Sequence, residues 1–169
     1  TAKRSKTGRM FRTYGIGFLI AGALFYGIYL LAQSFAPKGE DFSRAFPVME
    51  ASHIPENSPL PEYNSNPPSS GPHYVQTARS GFRNEILPDQ NVIHNLEHGD
   101  IWIAYHPDLS DEAKKKLEKF SGRYVVVSPR LENEASLSLV AWGRVDTFNI
   151  EDDFVDEERI KDFIKRYDN

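Results

Sequence analysis

The chain of 169 residues contains no cysteine. That excludes a disulfide framework, thiolate zinc sites, iron–sulfur clusters and cysteine nucleophiles. It leaves the redox compartment open, because an oxidising space permits disulfides without requiring them. Acids are missing from residues 1–36, which carry the five cations Lys3, Arg4, Lys6, Arg9 and Arg12. Cations are in turn scarce beyond that point. Residues 37–169 hold 15 basic against 24 acidic residues, a net −9. An acidic body offers no basic face to phosphates, so no nucleic-acid partner is expected. There is no Gly-rich phosphate loop, no nucleophile elbow and no internal repeat.

Charge of either sign is absent between Arg12 and Lys38. The apolar run Tyr14–Phe35 fills that gap. At about 1.5 Å per residue, roughly twenty helical residues span the hydrocarbon core of a bilayer. Only a helix satisfies its own backbone in lipid over such a run. Five cations precede it, whereas Lys38 follows with Glu40 and Asp41. The positive-inside rule then places the N-terminus in the cytoplasm. A cleaved signal peptide would have a shorter apolar core and a small-x-small cleavage site. The chain opens on Thr1, as one trimmed of its initiator methionine would.

The expected organisation is a basic cytoplasmic arm over 1–13, a transmembrane helix over 14–36, a linker over 37–50 and an extracytoplasmic domain over 51–169. The protein would cross the cytoplasmic membrane once. Gly17/Ala21 and Ala23/Gly27 are small-xxx-small pairs that suit docking against another membrane helix. An arm of this composition would not be ordered alone. The expected partners of arm and helix are therefore the lipid bilayer and other membrane protein subunits.

Nine of the eleven prolines fall within residues 37–88. Proline removes a backbone donor and fixes φ, so little regular structure is expected there. Phe42, Phe46, Tyr63, Tyr74 and Phe82 are too many aromatics for a plain linker, which points to an ordered, irregular wrap. Beyond it the pattern is regular. Strands are expected at Ile101–Tyr105, Tyr124–Ser128 and Leu137–Gly143, and helices over Leu109–Phe120 and Asp156–Tyr167. Ser110 would cap the first helix, and Leu109, Ala113, Leu117 and Phe120 would form its apolar side. The fold class is α+β: a single transmembrane helix, then a small domain with a Pro-rich wrap, an antiparallel or mixed sheet and two helices.

There are five histidines, His53, His73, His94, His98 and His106. Neutral imidazole is the usual metal ligand where thiolates are absent. His94 and His98 are four apart, so one helical turn puts them on one face, able to share an ion. His73 closes a Pro- and Gly-rich loop whose shape folding would fix in advance. The string His94-Asn-Leu-Glu-His98 also matches H-x-x-E-H, in which two histidines bind zinc and the glutamate is a general base. That motif needs a sustained helix, and Gly99-Asp100 interrupts it. Glu97 therefore stands as an additional ligand or as a base.

Three strings, Tyr63–Tyr74 (YNSNPPSSGPHY), Val92–Gly99 (VIHNLEHG) and Ala141–Arg144 (AWGR), resemble the family called domain of unknown function 3105, found behind an N-terminal membrane anchor in bacteria. The resemblance spans roughly residues 50–167. It implies a histidine ahead of the Pro-rich motif, one closing it and a pair in the string Val92–Gly99, which fall on His53, His73, His94 and His98. His106 lies where that pattern asks for no histidine. The four would converge on one transition-metal ion, copper or zinc, with iron or nickel also suited to the ligands. Met49, near His53, would be a soft ligand favouring copper.

The expected function is a membrane-anchored, extracytoplasmic metal-binding domain acting as a non-catalytic accessory subunit of a larger complex. Two alternatives are a metal-dependent hydrolase with Glu97 as base and a metal-free scaffold subunit.

Overall fold

The computed structural model describes residues 3–168; Thr1 and Ala2 of the basic arm and the terminal Asn169 lie outside the described residues. The chain divides into two compact units, residues 1–36 and 37–169. The first is one α-helix, α1 (Lys3–Phe35), which takes in the described part of the arm together with the apolar run. Its stretch Met10–Ser34 is long and apolar enough to cross a membrane, as an anchor or signal segment would be. Phe18, Leu19 and Phe25 project from it exposed, as lipid-facing side chains would.

The second unit is built on a six-stranded mixed sheet. In chain order its strands are β1 (Arg44–Ala45), β2 (Gly81–Phe82), β3 (Ile101–Tyr105), β4 (Val125–Pro129), β5 (Leu137–Ala141) and β6 (Arg144–Phe148). Their spatial order is β1-β6-β5-β3-β4-β2. β3 runs parallel to β4 and β4 to β2, while the β3–β5, β5–β6 and β6–β1 pairs are antiparallel. Three helices accompany the sheet: α2 (Asp89–Glu97), α3 (Asp111–Glu118) and α4 (Glu157–Tyr167).

β3 explains the layering. All five of its residues are buried, so its sequence is apolar without alternation, as for a strand covered on both faces. Ile101, Ile103 and Tyr105 face α3 and α4, where they join Leu137, Leu139, Ala113, Leu117, Ile160 and Phe163. Trp102 and Ala104 face the other way, against Val92 and Leu96 of α2. Ser110 caps α3, accepting the Ala113 N–H at 3.0 Å.

Both expected external helices and all three expected strands are present, in a mixed sheet. The structure adds α2, β6 and the two short strands. Residues 37–50, read as a linker, are instead fastened to the domain. The Asp162 carboxylate of α4 accepts the N–H groups of Lys38 and Gly39 at 2.6 and 2.9 Å. Arg44 and Ala45 pair with β6, and the Phe46 N–H bonds to the Gly143 carbonyl at 2.9 Å. The Pro-rich stretch is an ordered wrap, with Pro67–Gly71 buried.

Candidate metal centre

α2 has two working flanks. Val92, Ile93 and Leu96 are completely buried, and Val92 and Leu96 pack on the sheet. The polar side chains beside them reach residues 74–78, an irregular strap with no strand partner of its own. Asn91 Nδ2 donates to the Gln76 carbonyl at 2.6 Å. Asn95 takes both backbone groups of Ala78, accepting its N–H at 2.8 Å and donating to its carbonyl at 3.1 Å. His94 Nδ1 lies 2.9 Å from the Tyr74 carbonyl. A carbonyl only accepts, so Nδ1 carries the proton and Nε2 keeps its lone pair. Helix side chains thus replace the ladder that this stretch lacks.

The loop before the strap is held as firmly. The Tyr63 hydroxyl donates to the Pro72 carbonyl at 2.7 Å, and the Met49 N–H bonds to Ser70 Oγ at 3.0 Å. Gly71 has φ +117°, and a Cβ there would meet the Tyr63 ring at 3.2 Å. Only glycine adopts that conformation without strain. The Gly71 carbonyl accepts from His73 Nδ1 at 2.8 Å, which fixes the second tautomer as the first was fixed. His53 is set beside His73 through the backbone: the Ile54 N–H bonds to the His73 carbonyl, and the His73 N–H to the Ser52 carbonyl, both at 2.9 Å.

Arg130, at the end of β4, clamps these pieces together. Its guanidinium binds the Asp89 carboxylate at the start of α2 at 2.9–3.0 Å, and Asn66 Oδ1 of the loop at 2.6 Å. Arg130 is buried.

The result is a triangle of imidazoles. The ring centroids of His53, His73 and His94 are 5.1, 4.9 and 4.9 Å apart. One ligand atom from each, with a carboxylate oxygen of Glu97, forms a group whose members all lie within 4.8 Å of one another. His73 Nε2 is 3.1 Å from Glu97 Oε2, yet it is completely buried and has no hydrogen bond. Nδ1 donates to a carbonyl, and Nε2 faces the carboxylate without a hydrogen bond; a cation between the two, a proton or a metal ion, would join them. Burial above all, with the neighbouring imidazoles of His73, His98 and His53, lowers the pKa of His94, outweighing its bond to Tyr74. It is therefore neutral at pH 7, the form that ligates.

His53, His73, His94 and Glu97 are thus brought together. His98 is not in that group. α2 ends at Glu97, with His98 as its C-cap and Gly99 at φ +91°. The His98 ring stacks on that of His94, centroids 4.8 Å apart and planes at 28°. Met49 is half-buried, its Cβ close to Gly71. His106 interacts with Asp108 at 3.4 Å. The positioning roles of Tyr63, Asn91, Asn95 and Arg130 were not foreseen. An unexplained polar flank on an otherwise apolar helix was the available signal for the two asparagines.

An apolar N-terminal helix, a mixed-sheet α+β domain and a preformed cluster of three imidazoles and one carboxylate define a class of helix-bearing domains with a candidate cation site. Residues 53–169 match the family model described as Protein of unknown function (DUF3105), and the chain belongs to that family. The matched stretch opens on His53 and so contains all four clustered residues. No curated protein and no solved structure matches the chain.

Proposed function

We propose that this is a membrane-anchored, extracytoplasmic domain that binds one transition-metal ion and serves as a non-catalytic accessory subunit of a membrane complex. The observation that carries the metal reading is the convergence of one donor atom each from His53, His73, His94 and Glu97 within 4.8 Å, with the buried His73 Nε2 making no hydrogen bond. Three imidazole nitrogens and one carboxylate oxygen suit Zn²⁺ or Cu²⁺. Each of the two most buried histidines donates its Nδ1–H to a backbone carbonyl, the usual way of aiming the other nitrogen at a metal.

The apolar span of α1 supports anchoring, and the excess of cations before it supports a cytoplasmic N-terminus. Its small-xxx-small pairs support docking to a neighbouring subunit. A binding role is favoured over hydrolysis by the place of Glu97. The hydrolase reading needs His94 and His98 on the ion and Glu97 free as base. Here Glu97 stands among the ligand atoms and His98 outside them.

The test is the metal content of the full chain purified from membranes. About one Zn²⁺ or Cu²⁺ per chain is expected, and its loss is expected in a His73→Ala/His94→Ala variant. Equal metal content in the two proteins would overturn the assignment.

A further inference from the structure

The wall of the cluster is graded. His73 is fully buried and His94 is 8% exposed, whereas His53, Glu97 and His98 face solvent. His98 has a particular position in that gradient. Its ring lies against His94 on the solvent side, yet outside the four ligand atoms. Its backbone is held at the C-cap of α2, where its N–H bonds back to the carbonyls of His94 and Asn95.

The surroundings of the cluster are tied by protein contacts. Asn91, His94 and Asn95 satisfy the strap, Tyr63 and Ser70 hold the loop, and Arg130 ties both to the sheet. A structural ion supplies folding energy where such contacts are lacking. Here the protein supplies the contacts itself.

We infer that the cluster is an exchange site for a divalent ion, loaded and emptied through His98. This rests on the metal-binding reading above. An ion leaving the set of His53, His73, His94 and Glu97 accepts a nitrogen of His98 as it releases one of those four. One metal–ligand bond forms while another breaks, so the ion is never short of two ligands at once. The exchange transfers no proton and no electron, and the ion departs as a dication. The receiving group is a second set of nitrogen or oxygen donors presented at the exposed face.

The test uses the full chain in detergent with Zn²⁺ as the probe. Transfer to a chromogenic chelator is followed by stopped flow, and affinity by competition at equilibrium. His98→Ala is expected to leave affinity within about twofold, or about 0.4 kcal/mol. It is expected to slow loading and release alike by roughly tenfold, about 1.4 kcal/mol in the barrier. A group that lowers a barrier without changing the end states must act equally in both directions. Metal-free chain is expected to keep slow hydrogen exchange at the Ala78 amide.

Lower affinity with faster release in His98→Ala would make His98 an ordinary ligand and overturn the inference. Unchanged rates would make it a bystander, with the same consequence. Rapid exchange at Ala78 in the metal-free chain would mark the ion as structural. Failure of the unaltered chain to take up Zn²⁺ and, in a parallel titration, Cu²⁺ would bring down the metal-binding reading itself.

Discussion

The sheet and the wrap satisfy their backbones in different ways. In β3, β4 and β5 each strand borrows its neighbour's hydrogen bonds, and alternate side chains fill two apolar clusters. From Phe46 to Ser80 only a few backbone pairs form, and side chains add to them: Tyr63, Asn64, Ser65, Ser70, Asn91 and Asn95 each bond to main-chain groups. A ladder is robust and repetitive, and it places side chains only at fixed spacings. Side-chain ties are individual, so they can set an irregular loop to any shape, at the cost that each tie matters. The candidate site lies where the two regimes meet. His53 and His73 come from the wrap, and His94 and Glu97 from the helix that fastens the wrap to the sheet.

The comparison breaks most severely at Arg130, which serves both regions. Arg130→Ala leaves the half-buried Asp89 without its partner and frees the loop at Asn66. Chemical denaturation is expected to show a loss of about 3–5 kcal/mol, with weakened metal binding in the folded fraction. Leu139→Ala sharpens the contrast, because Leu139 is fully buried on the sheet face away from α2. It is expected to cost about 2–5 kcal/mol while leaving metal affinity of the folded protein unchanged. A matching fall in affinity would show that the two regions are not separable.

Gly71→Ala should do the reverse. The residue has φ +117° and no room for a methyl beside Tyr63, so a stability loss of about 1–3 kcal/mol is expected. Its carbonyl also aims His73, so calorimetric titration should show affinity reduced by roughly 10–100-fold.

The smallest expected effect is one of pH, at the segment following α1. Burial acts to raise the Asp162 carboxyl, but the N–H of Gly39, the Arg166 guanidinium and the N–H of Lys38 outweigh it, and its pKa lies below 3.8. A lowered native pKa stabilises the fold above the ordinary value and loses that contribution as pH falls through the native one. Melting temperature is expected to drop below about pH 4. Asp162→Asn should melt slightly lower at neutral pH and show a shallower decline; an identical acid profile would remove this tie from the account.

What could be read from the sequence follows the same division. β3, α3, β4, β5 and α4 were legible because apolar periodicity and the Ser110 cap are local signals. β6 was not, since Arg144, Asp146 and Thr147 interrupt its pattern. Asp146 is nevertheless buried, because Arg159 of α4 pairs with it across the fold. α2 was seen only as a turn because its polar residues face the wrap rather than water. Residues 37–50 looked like a linker because two strand residues and a few long-range bonds leave no mark on composition.

At the site, His53, His73 and His94 were legible from residue type and motif. That Glu97 rather than His98 joins the group within 4.8 Å was not, because spacings of three and four both share a helical face.

The central claim is that three imidazoles and the Glu97 carboxylate hold one ion. X-ray absorption at the metal edge of the Zn²⁺-loaded full chain tests it most directly. The account predicts three nitrogens and one oxygen at about 2.0–2.2 Å, with outer scattering from imidazole rings that is lost in His73→Ala/His94→Ala. An all-oxygen sphere without imidazole scattering would contradict it.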